Sequence, residues 1–88
     1  MKVQVQKSFE KDIAGISDKK LAIQLKAILT NLEDCKAISA VKHVKKMAGG
    51  GNYYRIRAGN YRLGFKLDSD TIILLRFMHR KEIYNYFP

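Results

Sequence analysis

The residues best equipped for chemistry lie in Tyr53–Leu67, "YYRIRAGNYRLGFKL", which places arginine at 55, 57 and 62. A guanidinium carries a permanent charge and a planar fork of donors that matches the oxygens of a phosphate. If Gly59-Asn60 is a two-residue turn, Arg57 and Arg62 stand opposite each other on neighbouring strands. Like charges so placed destabilise a strand pair, and the arrangement asks for an anion to relieve it. Arg76 and Arg80 complete the arginine set, and the N-terminal half carries lysine only. Beyond them "HRKEIYNYFP" adds His79, Tyr84 and Tyr86, side chains able to move protons when neighbouring charges adjust their pKa.

The charge balance points the same way. Seventeen Lys and Arg against 8 Asp and Glu give a net charge of +9, and the pI is near 9.9. Between Lys36 and Leu67 there is no acidic residue, while Lys36, Lys42, Lys45, Lys46, Arg55, Arg57, Arg62 and Lys66 all fall there. A basic face of this density suits a polyanion or an acidic protein partner. Lys42, Lys45, Lys46, Lys66 and Arg76 are read as phosphate-backbone contacts, or else as a solvated face. Tyr53 shares the arginine side of its strand and could stack a base, or simply pack. Phosphate contacts fix position and bring salt dependence without reading sequence.

Other classes are disfavoured. Cys35 is the single cysteine, so no internal disulfide forms and a reducing, cytoplasmic setting is expected. His43 and His79 with one cysteine fall short of a structural zinc set, and no metal or cofactor is expected. The start "MKVQVQKSF" lacks the apolar stretch of a signal peptide, and no apolar run approaches a membrane span.

The elements that must position these residues follow from hydrophobic periodicity. At 88 residues with 47% apolar content, the chain is expected to be one α+β domain over residues 1–88. Residues 2–7 alternate as a first strand. Ser8 is placed to cap a short helix carrying Phe9, Ile13 and Ile16. Ser17 is placed to cap a longer one, with Leu21, Leu25, Ile28, Leu29 and Leu32 as its apolar stripe. "AVKHVKKM" reads as strand or irregular turn, and Gly49-Gly50-Gly51 as a connector. Three strands follow at about 53–58, 61–67 and 71–78, giving a mainly antiparallel sheet of about four strands with a helical hairpin on one face. In this register Ala58, Ile56 and Tyr54 meet Tyr61, Leu63 and Phe65, and Arg55 meets Gly64, which leaves open space. A three-residue turn at Asp68-Ser69-Asp70 would turn Ile73, Leu75 and Phe77 to the core and set Arg76 opposite Arg62. The last residues form a short helix or tail.

The order of these elements, with "YxRxRxGxYR" followed by "HRKxxY", resembles the RelE/ParE superfamily of type II toxin–antitoxin toxins over nearly the whole chain, and most of all its messenger-RNA-cleaving RelE-type branch. The resemblance implies a metal-independent endoribonuclease acting in the ribosomal A site, with contacts to ribosomal RNA, held inactive by an acidic antitoxin. It maps the family's basic pair before the turn onto Arg55 and Arg57. The arginine after the turn maps onto Arg62, and the basic residue closing the last strand onto Arg80, with His79 beside it. The C-terminal catalytic tyrosine maps onto Tyr84 or Tyr86, and the choice stays open. Where some members carry lysines, this chain has Arg55 and Arg57, which cannot shuttle protons and are expected to clamp charge. The competing readings are a ParE-like toxin that inhibits DNA gyrase, and an inactive basic module that binds RNA or antitoxin.

RNA can be cut by its own 2′-hydroxyl once that group is in line, the phosphorane-like charge is stabilised and two protons are managed. Converging guanidiniums serve the second need. Tyr84, Tyr86 or His79 would serve the third. Arg55 and Arg57 have a plainer reading as edge charges that keep sheets from associating.

Overall fold

In the computed structural model, which describes all 88 residues, the chain runs β1 (Lys2–Val5), α1 (Lys7–Ala14), α2 (Lys19–Asp34), β2 (Val44–Lys46), β3 (Tyr53–Ala58), β4 (Tyr61–Asp68) and β5 (Thr71–His79). Short 3-10 turns lie at Ile38–Ala40 and Ile83–Asn85. The sheet has five strands in the order β1-β5-β4-β3-β2 rather than about four. The segment "AVKHVKKM", readable as strand or turn, supplies the additional edge strand β2. Only β1 and β5 run parallel; α1 and α2 carry the chain from β1 at one edge of the sheet to β2 at the other, and the meander then returns β5 to lie beside β1.

One sheet face is covered by the helices. Phe9, Leu32, Ile56, Leu63, Phe65, Ile72, Leu74 and Phe77 are almost inaccessible there, joined by Leu21 and Leu25. Each such side chain contributes about 1.5–3 kcal/mol on leaving water. The stripe expected on α2 is the one that packs. Its cap is one residue later than the serine pattern suggests. Asp18, not Ser17, accepts from Lys20 N (2.9 Å) and Leu21 N (3.3 Å), and a carboxylate there also favours the helix dipole.

Ser8 does not cap α1 either. The N-cap is Gln6, without a side-chain bond, and the Ser8 hydroxyl instead donates to Leu75 O at 2.6 Å. The reason lies in the sheet edge. β1 pairs with β5 only up to Leu74, which leaves the later part of β5 without a strand partner on the side away from β4. Helix α1 takes over that edge. Ser8 satisfies the Leu75 carbonyl, and Asp12 Oδ2 accepts from Phe77 N at 2.9 Å.

The meander keeps its first register and changes its second. Arg57 pairs with Arg62, Arg55 with Gly64, Ile56 with Leu63 and Tyr54 with Phe65. Gly59, at φ 60°, lets the chain turn in two residues. The next turn is also two residues, Ser69-Asp70, since Asp68 pairs with Thr71. One residue fewer than expected inverts side-chain parity, so Ile72 and Leu74 face the core instead of Ile73 and Leu75. A bulge opposite Gly64/Phe65 then absorbs Leu75 and restores Phe77 to the core. In consequence Arg76 stands opposite Gly64, and Arg62 faces Met78 rather than Arg76.

Asp12 also accepts two bonds from the Arg76 guanidinium, at 2.8 and 3.0 Å. With side-chain exposures of 12% and 24%, the pair is well shielded. Removing the carboxylate strands both a charge and a backbone N–H. The Asp12→Ala variant should lose about 2–3 kcal/mol of stability, roughly 10–20 °C in Tm for a domain of this size. Asp12→Asn, which can still accept from Phe77 N, should lose clearly less. Thermal denaturation followed by circular dichroism checks the order; equal melting of both variants with the parent would contradict it.

Candidate functional site

The cross-strand pairing of β3 with β4 puts Arg55, Arg57 and Arg62 on the sheet face away from the helices. There they line a cleft of about 250 Å³ together with Lys45 and His43. Lys45 arrives because β2 pairs with β3 with Lys45 opposite Arg55. No acidic side chain lines the cleft.

Each arginine is held by a neutral group. The Arg62 Nη1 donates to the carbonyls of Gly59 (2.8 Å) and Tyr61 (2.9 Å), which fold it back over the turn. The Arg57 Nη2 lies 3.2 Å from His43 Nδ1. The Arg55 guanidinium sits over the Tyr84 ring, 5.1 Å from its centroid, a favourable cation–π contact. The crowding is felt most at Arg62, whose pKa falls below its ordinary value. Burial contributes most, followed by the charges of Arg55, Arg57 and Arg80. Arg80 follows β5, its backbone N–H donating to Asn60 O at 2.8 Å.

The tail decides which proton-active residue reaches this cleft. Phe87 is buried with its ring against Gly64, where a Cβ would come within 2.8 Å of it. Gly64 therefore seats the tail and does not leave open space for a ligand. Tyr53 meets Phe87 edge-to-face at 5.8 Å, so in this conformation it packs the tail. With Phe87 anchored, the exposed Tyr84 lies over Arg55, and Tyr86 lies over Arg76, 5.1 Å from the guanidinium. Tyr84 adjoins the cleft through Arg55, whereas Tyr86 lies with the Asp12–Arg76 pair.

The Tyr84 phenol is drawn below its ordinary pKa, first by Arg55 as a donor to the phenolate, then by the Arg55 charge, and further by Arg62 and Lys45. Arg76 is the contrary case. Its pKa is raised, foremost by the hydrogen bond with Asp12, and its charge is already matched.

The remaining candidates scatter. His79 pairs with Tyr61 on the helix-covered side, rings 5.7 Å apart, and its Nδ1 accepts from Lys81 N at 3.1 Å. It is not brought to the cleft. Lys42 borders a separate hollow with Asn31, Asp34 and Cys35. Lys46 pairs with Tyr54, on the opposite parity from Lys45, and Lys66 pairs with Tyr53 on the arginine face. His43, given no role from sequence, enters the cleft through a left-handed backbone at φ 63°. Only a weak signal could have flagged it: histidine is enriched at such positions.

A helical hairpin over a five-strand sheet, with an arginine hairpin beneath a tyrosine tail, has the architecture of a RelE/ParE superfamily toxin. Residues 3–84 match the family model described as "ParE toxin of type II toxin-antitoxin system, parDE", and the chain belongs to this family of type II toxin–antitoxin toxins. Among individual proteins, it is 42% identical to Toxin RelE3 of Methanocaldococcus jannaschii over the full length of both. It superimposes on the toxin of a RelB-RelE antitoxin-toxin complex from Methanococcus jannaschii with a TM-score of 0.82, at 38% identity over 97% of this chain and 99% of that one. An archaeal RelE-RelB complex from Pyrococcus horikoshii shares the fold, with a TM-score of 0.72 at 23% identity over 90% and 93% of the two chains.

The shift at Tyr84 is directly measurable. In an NMR titration of ring-labelled protein, the Tyr84 signal should ionise below the usual tyrosine value near 10. Arg55→Ala should move it back up, because the lost cation favoured the phenolate. A Tyr84 titration unchanged by Arg55→Ala would overturn the assignment.

Proposed function

We propose that this toxin is a metal-independent endoribonuclease that cleaves messenger RNA on the ribosome and so stops translation in the cytoplasm. The observation that carries this is the cleft itself: Arg55, Arg57, Arg62 and Lys45 converge on one face with no acidic residue among them. Unneutralised guanidiniums so arranged stabilise the extra charge of a pentacoordinate phosphate better than that of the starting diester, which is the requirement for catalysis. The 2′-hydroxyl of the RNA is the nucleophile, attacking the adjacent phosphorus with in-line expulsion of the 5′-oxygen. The products are a 2′,3′-cyclic phosphate and a 5′-hydroxyl. Tyr84, with its phenolate favoured by Arg55, removes the 2′-proton, and a solvent water delivers the proton that the departing 5′-oxygen takes up. Arg57 and Arg62 grip the non-bridging oxygens. Arg80 adds positive potential at the hairpin end, while Lys66 and Lys45 guide the flanking backbone.

Restraint of this activity falls to an acidic antitoxin whose carboxylates enter the cleft and whose amphipathic helices cover the surface around it. The RelB-RelE complexes of the similar proteins support that partner class. The matching family model bears the ParE name, so inhibition of gyrase is the second reading. Against it stands the arginine and tyrosine constellation, which a pure binder does not need.

Expression of the toxin alone should arrest growth, with new 5′ ends within translated messages by primer extension and rescue on co-expression of the antitoxin. Arg62→Ala should lose roughly 10²–10³-fold in cleavage by purified toxin on programmed ribosomes, with its circular-dichroism spectrum intact. Growth arrest with intact transcripts and trapped gyrase–DNA breaks would transfer the protein to the second reading.

A further inference from the structure

We propose that His43 is a positioning residue of the cleft, which fixes the Arg57 guanidinium where it meets the RNA phosphate. The nature of the anion rests on the endoribonuclease reading above; the grip on Arg57 does not. Arg57 Nη2 and His43 Nδ1 are 3.2 Å apart, the single side-chain hydrogen bond that Arg57 makes. A guanidinium only donates, so Nδ1 is the acceptor and the imidazole is neutral, with its proton on Nε2. The main chain repeats the grip, Arg57 N donating to His43 O at 3.3 Å. One residue thereby holds both ends of Arg57.

The local backbone is built for this. At φ 63°, His43 occupies the left-handed region immediately before β2, and its ring lines the cleft rather than leaving with the strand. Facing it are Arg57 and Arg55 from β3, Arg62 from β4 and Lys45 from β2. Every one of these is a cation, and no carboxylate is present to restrain Arg57. An acid in this place would hold the guanidinium more tightly but cancel the charge that the phosphate needs. A neutral imidazole nitrogen orients Arg57 without that cancellation. It also lacks a free lone pair in this state, because Nδ1 is engaged and Nε2 is protonated, so the ring is placed to hold rather than to act as a base.

Two variants of the full-length protein separate these roles. His43→Gly deletes the ring but keeps the backbone, since glycine adopts this φ freely. His43→Asn offers an amide oxygen near the position of Nδ1, tolerates the left-handed backbone and cannot take up a proton. The glycine variant should cleave roughly 10–100-fold more slowly in kcat with little change in KM, as expected from misplacing one clamp. It should also bind a non-cleavable 2′-O-methyl oligoribonucleotide less well. The asparagine variant should recover most of both losses. Long-range 1H–15N NMR should show the His43 ring unprotonated at Nδ1, with that nitrogen's shift moving in Arg57→Ala. Asparagine failing as fully as glycine, glycine cleaving and binding like the parent, or a ring signal indifferent to Arg57→Ala would each overturn the proposal. If the parent protein cleaves no RNA at all, the nuclease reading fails, and the binding and ring-nitrogen measurements still decide the role of His43.

Discussion

The physical constraint on which this structure turns is the repulsion among guanidiniums on one small sheet. Arg57 and Arg62 are direct cross-strand partners, and Lys45 faces Arg55 across the next pair. Folding could have relieved the strain with carboxylates, yet the three cleft arginines are held by two carbonyls, an imidazole and a phenol ring. Dipoles and π-faces orient a cation while leaving its charge in place. Only Arg76, outside the cleft, has a carboxylate of its own. The distinction between Arg76 and the other three is therefore one of tether chemistry, and it separates an arginine that organises the fold from those that await an anion.

The same Arg76 ties the site to the body of the domain. Because β1 stops opposite Leu74, the edge of β5 passes to α1, and Asp12 joins that helix to both the strand backbone and Arg76. Arg76 then underlies Tyr86, while Gly64 in the neighbouring strand admits the Phe87 ring. Two fixed points in the tail, at 86 and 87, leave Tyr84 over Arg55. Ile83, buried on the same 3-10 turn, anchors the residue next to Tyr84. The placement of Tyr84 is thus settled by the packing of its neighbours, with Tyr86 positioned through a bulge that also returns Phe77 to the core.

Much of the fold was legible in the chain. The period-3.6 stripe of α2 and the alternation of β3 and β4 are each strong enough to fix which face is buried, and the pairing of Arg57 with Arg62 follows from Gly59-Asn60 alone. Weaker local signals misled. Three residues, Ser8, Ser17 and Gly64, have obvious local uses as caps or as open space, and each serves elsewhere or yields to a neighbour. Ser8 answers an orphan carbonyl 67 positions away, Ser17 gives way to the stronger acceptor Asp18, and Gly64 makes room for Phe87.

What the sequence determined by itself is the charge pattern and the arginine hairpin, because both depend on composition and on pairings only a few residues apart. The family resemblance rests on the same short-range features. Whether Arg76 joins the cleft, which tyrosine adjoins it, and whether His43 or His79 reaches it were decided only by tertiary structure. Those outcomes hinge on a one-residue turn difference, a single bulge and one left-handed backbone angle. Each changes the side to which a residue points at small local energetic cost, and each is selected by packing between segments distant in sequence.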